Sequence, residues 1–222
     1  MDNNTNPFGS FKINDNWKRL EDIEERSPCS KCHKSRKYFC YTCCLPLEIE
    51  IDGKSTAIHA AIIAPEDVTI YTYPDIPDYS TEPGVILIYP NKNAVSLEDC
   101  VNPSKNCTER LRIHDIKKAV FIDSTWNQRK FSLILIIWQI LWFQIFSGLP
   151  CFVLRSRISQ FWRHQRGSPR WYLATIEAIH QLGQLVYDNA YDDLLFFFRF
   201  MYEKIHQLYD HESLRSYKRP LT

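Results

Sequence analysis

Two closely spaced cysteine pairs constrain the fold of this 222-residue chain more than any other feature. Each is a Cys-x-x-Cys turn, and seven residues separate the two pairs. Two such turns can aim four thiolates at one tetrahedral Zn²⁺ ion, and four protein ligands leave no open position for catalysis. The spacing predicts a structural zinc site, in which Cys44 or His33 can replace one ligand; the alternative is four unrelated thiols. The four predicted ligands are Cys29, Cys32, Cys40 and Cys43.

The residues before the first cysteine are polar and contain no apolar segment of the kind that a secretory signal needs. A reducing compartment is therefore expected, in which clustered cysteines are metal ligands before they are disulfides. We predict a flexible polar tail over residues 1–28, a zinc knuckle over residues 29–45 and a larger domain over residues 46–215. The formal net charge is +1, so any surface for nucleic acid has to be a local patch.

Short apolar runs bounded by prolines predict β-strands in the larger domain. They are Leu47–Ile51, Ile58–Ile63, Val68–Tyr73, Val85–Tyr89, Ala119–Asp123 and Leu149–Leu154. Two later segments have apolar residues at helical spacing or are unusually aromatic, and both predict helices. They are Leu173–Tyr187 and Asp192–Leu208. Strands that alternate with late helices predict an α/β fold.

The sequence Asp123-Ser124-Thr125-Trp126 follows a short apolar run, so it lies where a buried strand ends. In open α/β sheets this edge binds ligands. Asp123 can accept a proton, Thr125 can orient a ligand, and Trp126 can stack on a base or an adenine. These three residues are the candidate catalytic residues, and the elements that follow along the chain decide in favour of this interpretation. The alternative is an ordinary strand end with a turn at the Asp and a Trp in the core.

Residues 155–170 contain five arginines and one histidine but no acidic residue. Aromatic side chains lie among them, and this combination suits phosphates and stacked bases. The stretch predicts contact with RNA; the alternative is a solvated loop. Lys54 and His59 can contact an anion as well, although the local sequence favours a solvated turn into a strand. The predicted RNA-binding residues are Lys54, His59, Arg155, Arg157, Trp162, Arg163, His164 and Arg166.

Several common enzyme motifs are missing from the sequence. It has no glycine-rich dinucleotide fingerprint, no HExxH and no GxSxG, and the segment before Lys54 lacks the upstream glycine of a P-loop. Ordinary dinucleotide-binding, zinc-protease and serine-hydrolase functions are therefore not indicated.

Six sequence elements occur in one order along the chain. They are the paired Cys-x-x-Cys turns, Lys54–Ala60, Ile70–Pro74, Phe121–Gln128, Phe161–Gln165 and Thr175–Ala178. With their Asp-x-Thr-Trp element, they resemble the DTW-domain family from about Cys29 to about Tyr202, with one interruption.

This resemblance implies a fold and a reaction. The fold would be α/β and related to the knotted SPOUT-type proteins that bind S-adenosylmethionine. The reaction would move the 3-amino-3-carboxypropyl group of S-adenosylmethionine to N3 of a uridine in the D-loop of tRNA. The cofactor would contact Tyr89, Pro90, Thr175 and Glu177, and Asp123 would act as base or as an orienting acceptor. The resemblance also implies tRNA as partner and the nucleus as location, with no stable protein partner.

Two departures from the family pattern bear on activity. Ala174 stands where family members usually have Ser, which removes one hydrogen bond. Residues 129–146 are apolar where the family is polar, and residues 131–154 carry no charge, which is about the length that spans a bilayer. This segment is a transmembrane helix, a buried element or a gene-model error. We favour the error, because a family-like sequence resumes abruptly at Gly148-Leu149-Pro150. A membrane span would separate Asp123 from the basic stretch, so a membrane is not expected as a partner.

Two other functions stay open at this stage. A catalytically inactive, zinc-stabilised tRNA-binding protein would bind tRNA with a steep salt dependence and form no product. An RNA methyltransferase that uses the same cofactor would form a product of different mass.

Overall fold

The computed structural model describes residues 6–40, 42–46, 56–71, 74–90, 94–102, 112–123, 146, 148–164, 168–187, 191–219 and 221. Among the predicted site residues, four lie outside these ranges. They are Lys54, Thr125, Trp126 and Arg166.

The N-terminal part contains a 3₁₀ helix and two small antiparallel ribbons. The helix spans Asp15–Asp22 and begins at Asn14, whose side chain accepts a hydrogen bond from the Asn16 N–H. The ribbons pair β1 with β2 and β3 with β4. Their strands are β1 (Ser27–Pro28), β2 (Ser35–Arg36), β3 (Phe39–Cys40) and β4 (Leu45–Pro46).

A four-stranded, fully parallel sheet forms the centre of the described fold, in the order β6-β8-β5-β7. Its strands are β5 (Val85–Ile88), β6 (Val95–Ser96), β7 (Lys118–Phe121) and β8 (Cys151–Val153). All four residues of β5 are buried, as expected for an inner parallel strand covered on both faces. The sheet confirms the predicted α/β class and the strand predictions at β5, β7 and β8.

The described residues form four α-helices, of which the second and third pack on the sheet. They are α1 (Ala57–Ile63), α2 (Leu97–Val101), α3 (Thr175–Tyr187) and α4 (Phe196–Leu208). The two helix predictions near the C-terminus are confirmed, although the first turn of the second one, Asp192–Leu195, is a 3₁₀ helix.

Two of the predicted strands are wrong. Ile58–Ile63 belongs to helix α1, and no strand forms over the described residues 68–71. Because α1 is buried through Ile58, His59, Ala60 and Ala61, its sequence has no polar face, and a short apolar run does not distinguish a buried helix from a buried strand. The predicted strand Leu47–Ile51 lies outside the described residues.

The N-terminal segment packs on the rest of the chain and differs from the flexible tail that its polar composition predicts. Phe8 and Ile13 are buried in a cluster with residues of α1, α3 and α4. The backbone N–H of Lys12 donates to Asp192 Oδ2 over 2.7 Å. Phe8 packs edge to face on Phe198 and Tyr202 of α4, and these contacts help to fix the segment.

The apolar segment 129–146 lies outside the described residues except for Phe146, which is buried against β5. Among the described helices, none is long and apolar enough to cross a membrane.

Candidate functional site

An open cleft with a cavity volume of about 60 Å³ lies at the carboxyl edge of the parallel sheet. Its walls come from the residues that follow three strands, among them Tyr89 after β5, Ile122 after β7 and Leu154 after β8. Strand β5 has β7 on one side and β8 on the other, so the connections between the strands run to opposite sides of β5. This is where open α/β sheets bind their ligands.

Asp123 and Thr175 meet beside this cleft. Thr175 Oγ1 donates a hydrogen bond to Asp123 Oδ1 over 2.6 Å. Asp123 is the second residue after β7, and Thr175 is the first residue of α3 and lines the cleft itself. Tyr89 and Pro90 line the same cleft. The structure therefore brings together four of the residues predicted for catalysis and cofactor binding.

Glu177 was predicted to contact the cofactor, but its carboxylate is engaged inside the protein. It is buried and accepts hydrogen bonds from Ser159 Oγ at 2.6 Å, from the Gln160 N–H at 2.7 Å and from the Ala174 N–H at 2.7 Å. Burial raises the pKa of this carboxyl, although the three hydrogen bonds act in the opposite direction. Glu177 is not among the residues that line the cleft. Its geometry fits a positioning residue that ties the basic stretch to the start of α3.

A second carboxylate holds the same stretch and was missed from the sequence. Glu98 Oε1 accepts hydrogen bonds from the backbone N–H groups of Arg155 at 3.0 Å and Ser156 at 3.1 Å, and from Gln181 Nε2 at 2.6 Å. These contacts fix the chain where it leaves β8. Glu98 lies in the short helix α2, far from residues 155–156 in the sequence. No local sequence pattern therefore indicates that it holds them.

Two aromatic residues of the cleft wall were missed as well. Trp171 and Tyr172 pack edge to face, with ring centroids 4.4 Å apart, and both line the cleft. The Arg155 guanidinium lies 5.1 Å from the Trp171 ring centroid. The sequence feature that could have identified them is their position as an adjacent aromatic pair directly before a predicted helix.

The predicted RNA-binding residues of the basic stretch differ in exposure. Arg155 and His164 are exposed, and Arg163 is half-buried. Trp162 is half-buried and packs on Phe198, with ring centroids 5.3 Å apart. The exposed members therefore form a smaller surface than the sequence predicts.

Arg157 belongs to a buried polar network. Its Nη1 lies 2.9 Å from His180 Nδ1, and His180 Nε2 lies 2.8 Å from Asp192 Oδ1. Because a guanidinium only donates, Nδ1 accepts and Nε2–H donates to the carboxylate. Burial lowers the pKa of His180, so the neutral ring that this arrangement requires is also the favoured one.

His59 is enclosed in α1 and is only 2% exposed. Its ring lies edge to face against Phe39, with centroids 5.5 Å apart, and beside Phe197 at 5.8 Å. Burial lowers its pKa to about 3, so the ring is neutral. This environment does not fit the predicted contact of His59 with RNA.

The four predicted cysteine ligands converge. Their Sγ atoms all lie within 4.8 Å of one another, and Cys32 Sγ and Cys40 Sγ are 3.6 Å apart. One Cys-x-x-Cys turn joins β1 to β2, and the other begins in β3 and leads to β4. The residue after each turn, His33 or Cys44, has a positive φ of 56° or 53°, so both turns close in the same way. His33 and Cys44 are not members of the converging set.

The electrostatics of the cluster fit a bound cation. Burial alone would raise the pKa of Cys40, but N–H groups of Cys43 and Thr42 and the Arg36 side chain bring it to about 6. Burial and the neighbouring thiols raise the pKa of Cys43 to about 12. Four thiolates at this separation repel one another, and a metal ion between them removes that repulsion. The cluster can therefore hold one metal ion.

Fold and site together define a class of protein. It is a parallel α/β protein with an open cleft at the carboxyl edge of its sheet and an N-terminal cluster of four cysteines that can hold a metal. Residues 48–206 match the DTW domain. The chain belongs to the DTW-domain family, as its sequence motifs indicated.

The chain is similar over most of its length to curated proteins named tRNA-uridine aminocarboxypropyltransferase 1. The Xenopus tropicalis protein is 36% identical over 241 residues, covering 81% of this chain and 79% of its own. The Homo sapiens protein is 36% identical over 242 residues, covering 81% and 77%. The Rattus norvegicus protein is 33% identical over 242 residues, again covering 81% and 77%. No solved structure matches the chain.

Proposed function

We propose that this chain is a tRNA-uridine aminocarboxypropyltransferase. It would transfer the 3-amino-3-carboxypropyl group of S-adenosylmethionine to N3 of a D-loop uridine in tRNA. Membership of the DTW-domain family and the printed names of its relatives support the reaction class. The observation that carries the proposal is the Asp123–Thr175 hydrogen bond beside the cleft, because it joins two family motifs that are far apart in the sequence.

The cleft residues suit S-adenosylmethionine. Tyr89, Pro90, Trp171 and Tyr172 offer apolar and aromatic surface for an adenine ring, and Thr175 offers a hydroxyl at the start of α3. When bound, the cofactor supplies a sulfonium, which is a good leaving group. The proposed SPOUT-type relationship is supported by the parallel sheet and by the position of the cleft at its carboxyl edge.

In this proposal, Asp123 accepts the proton of uridine N3. Thr175 donates to Oδ1, so Oδ2 is the oxygen that Asp123 offers to the substrate. In the transfer, the N3–H bond and the C–S bond break, the N3–C bond forms, and methylthioadenosine leaves with the electron pair of the C–S bond. Thr175 fixes the carboxylate, and positioning of this kind contributes to the rate. Thr125 and Trp126 complete the proposed catalytic set.

The metal of the cysteine cluster is proposed to be zinc with a structural role. A Zn–S bond of about 2.3 Å in a tetrahedral site places sulfur atoms about 3.8 Å apart. The 3.6 Å between Cys32 and Cys40 fits this geometry. The side chain next to the cluster, Phe39, packs on α1 and α4, so the metal would fix the N-terminal ribbons to the domain.

The proposed surface for tRNA comprises Arg155, Arg163 and His164, with Lys54 and Arg166 as further predicted contacts. Arg155 lies next to the cleft through Trp171. A phosphate held there would bring its uridine towards Asp123. The nucleus is the proposed location, and imaging of the tagged full chain would test it.

The decisive experiment is nucleoside mass spectrometry of unmodified tRNA incubated with the purified chain and S-adenosylmethionine. Asp123→Ala is the test variant, and Asp67→Ala, an exposed carboxylate outside the cleft lining, is the matched control. We expect aminocarboxypropyl-uridine from the parent and from the control, and none from Asp123→Ala.

Other outcomes contradict the proposal in distinct ways. A methylated nucleoside would make the chain an RNA methyltransferase. No product from folded, zinc-loaded protein that still binds tRNA would favour the inactive tRNA-binding protein, with residues 129–146 as the first suspect. Equal product from Asp123→Ala would keep the transferase but exclude Asp123 from its chemistry.

A further inference from the structure

The segment after α4, residues 209–219, folds back over the basic stretch. Tyr217 Oη donates to the Gln160 carbonyl over 2.9 Å, and His164 Nδ1 lies 3.3 Å from the Arg215 carbonyl oxygen. Arg219 Nη1 donates to the Pro169 carbonyl over 3.5 Å. The segment begins after residue 206, where the match to the DTW domain ends. The family match therefore assigns it no role.

Stacked rings fix this segment in place. His211 stacks on Tyr217 with ring centroids 3.9 Å apart, and the ring of His206 in α4 lies 5.2 Å from that of His211. The Arg170 guanidinium lies 5.0 Å from the centroid of the Tyr217 ring. These contacts hold the backbone of the segment without using the side chains of Arg215 or Lys218.

The last 3₁₀ helix, Arg215–Lys218, has two different faces. Residues three apart in a 3₁₀ helix lie above one another. Arg215 and Lys218 are both exposed, whereas Ser216 is fully buried and Arg219 is 6% exposed. Within the described part of the chain, neither Arg215 nor Lys218 makes an ion pair. The turn thus aligns two unpaired cations on its solvent side.

We propose that Arg215 and Lys218 form an RNA-backbone contact that extends the basic stretch through His164 and Arg163. This inference rests on the proposed tRNA substrate and adds to it a C-terminal anchor. The partner is a polyanionic backbone, because aligned, desolvation-tolerant arginine and compact lysine charges suit phosphates without reading base sequence. The anchor lies on the segment that contacts Gln160, His164 and Pro169, so it would hold the RNA next to the stretch that leads into the cleft.

The test compares tRNA binding of the full chain and of Arg215→Ala/Lys218→Ala over a series of salt concentrations. The matched control is Arg112→Ala/Lys117→Ala, which removes the same charge from two exposed residues. Both precede β7, at the amino edge of the sheet and away from the cleft at the carboxyl edge. We expect several-fold weaker binding and a salt slope smaller by about 0.9 per lost phosphate contact in the test variant only. Arg215→Lys/Lys218→Arg should keep the affinity of the parent within about twofold, because both charges remain.

Unchanged affinity and slope in Arg215→Ala/Lys218→Ala would overturn this inference alone and leave the proposed function standing. An equal loss in the control would overturn it too, because only net charge would matter. A parent chain that binds no tRNA would overturn both proposals. Zinc content and the urea midpoint, measured on every variant, show that the protein is folded when binding is compared.

Discussion

At the scale of single residues, the Asp123–Thr175 hydrogen bond is the contact on which the proposed chemistry depends. It fixes one carboxylate oxygen and leaves the other for the substrate. The carboxylate comes from the end of a strand and the hydroxyl from the start of a helix, so both are held by regular structure.

Replacing Thr175 by Val should slow product formation without unfolding the chain. A hydrogen bond to a charged group contributes about 1.5–3 kcal/mol, which corresponds to about 10- to 100-fold in kcat/KM. Steady-state nucleoside mass spectrometry measures this change. Thr175→Ser keeps the hydroxyl and should retain most of the activity; equal activity of the Val variant would show that Asp123 needs no fixing.

The residues of the cleft could be predicted from the sequence more reliably than the groups that each side chain contacts. Asp123, Tyr89, Pro90 and Thr175 were predicted for the site and lie around one cleft. Glu177 was chosen for its charge, but whether a carboxylate faces a ligand or the backbone depends on distant residues. Three internal donors engage it here.

At the scale of elements, the two cysteine turns act as one unit, because each has its own ribbon and all four sulfurs face one point. This unit was predictable, because its four ligands lie close together in the sequence at the spacing that a zinc knuckle needs. Helix α1 was not predictable, because a helix that is buried all round lacks the polar face that sets its period apart from a strand.

We expect one zinc ion per chain and its loss in Cys43→Ser, measured by elemental analysis. The unfolding temperature should fall with the zinc, because a structural metal contributes its binding free energy to folding. Cys100→Ala removes a buried cysteine outside the cluster and should keep the zinc. Full zinc content in Cys43→Ser would exclude Cys43 as a ligand.

Helix α1 should make the protein sensitive to mild acid through His59. Its folded pKa of about 3 lies below the ordinary 6.5, so its contribution to stability is complete above pH 6.5. Between pH 6.5 and 3 the unfolded chain takes up the proton first, and stability falls by up to about 1.4 kcal/mol per pH unit.

The test is the pH dependence of the free energy of unfolding, measured with urea at matched zinc content. His59→Phe keeps an aromatic ring among Phe39 and Phe197 and should flatten the decline below pH 6.5. His164→Phe changes an exposed ring and should leave the slope as it is. Identical slopes in the parent and His59→Phe would contradict the prediction.

At the scale of the whole molecule, the first and last described parts of the chain depend on each other. Phe8 packs on Phe198 and Tyr202, with centroids 6.2 and 5.1 Å away. Glu21 pairs with Lys204 over 3.2 Å, and this contact lowers the pKa of Glu21. The polar composition of the N-terminal segment predicted a flexible tail, because its few apolar residues follow neither helical nor strand periodicity.

Phe8→Ala should lower the free energy of unfolding by about 3–5 kcal/mol, the usual cost of emptying a buried aromatic site. Urea denaturation followed by circular dichroism measures this loss. Lys12→Ala removes an exposed side chain but keeps the backbone donor to Asp192, so it should cost little. A negligible effect of Phe8→Ala on the free energy of unfolding would support the original prediction that the N-terminal segment is a flexible tail.

The contact between Lys12 and Asp192 also sets an order of events during translation. The N-terminal segment leaves the ribosome first, but the carboxylate and the aromatic face that receive it are made some 180 residues later. The segment therefore cannot complete its packing until α4 has emerged. A stalled or truncated chain that ends before Asp192 would expose Phe8 and Ile13, and quality-control factors could recognise it by its beginning as well as by its missing end.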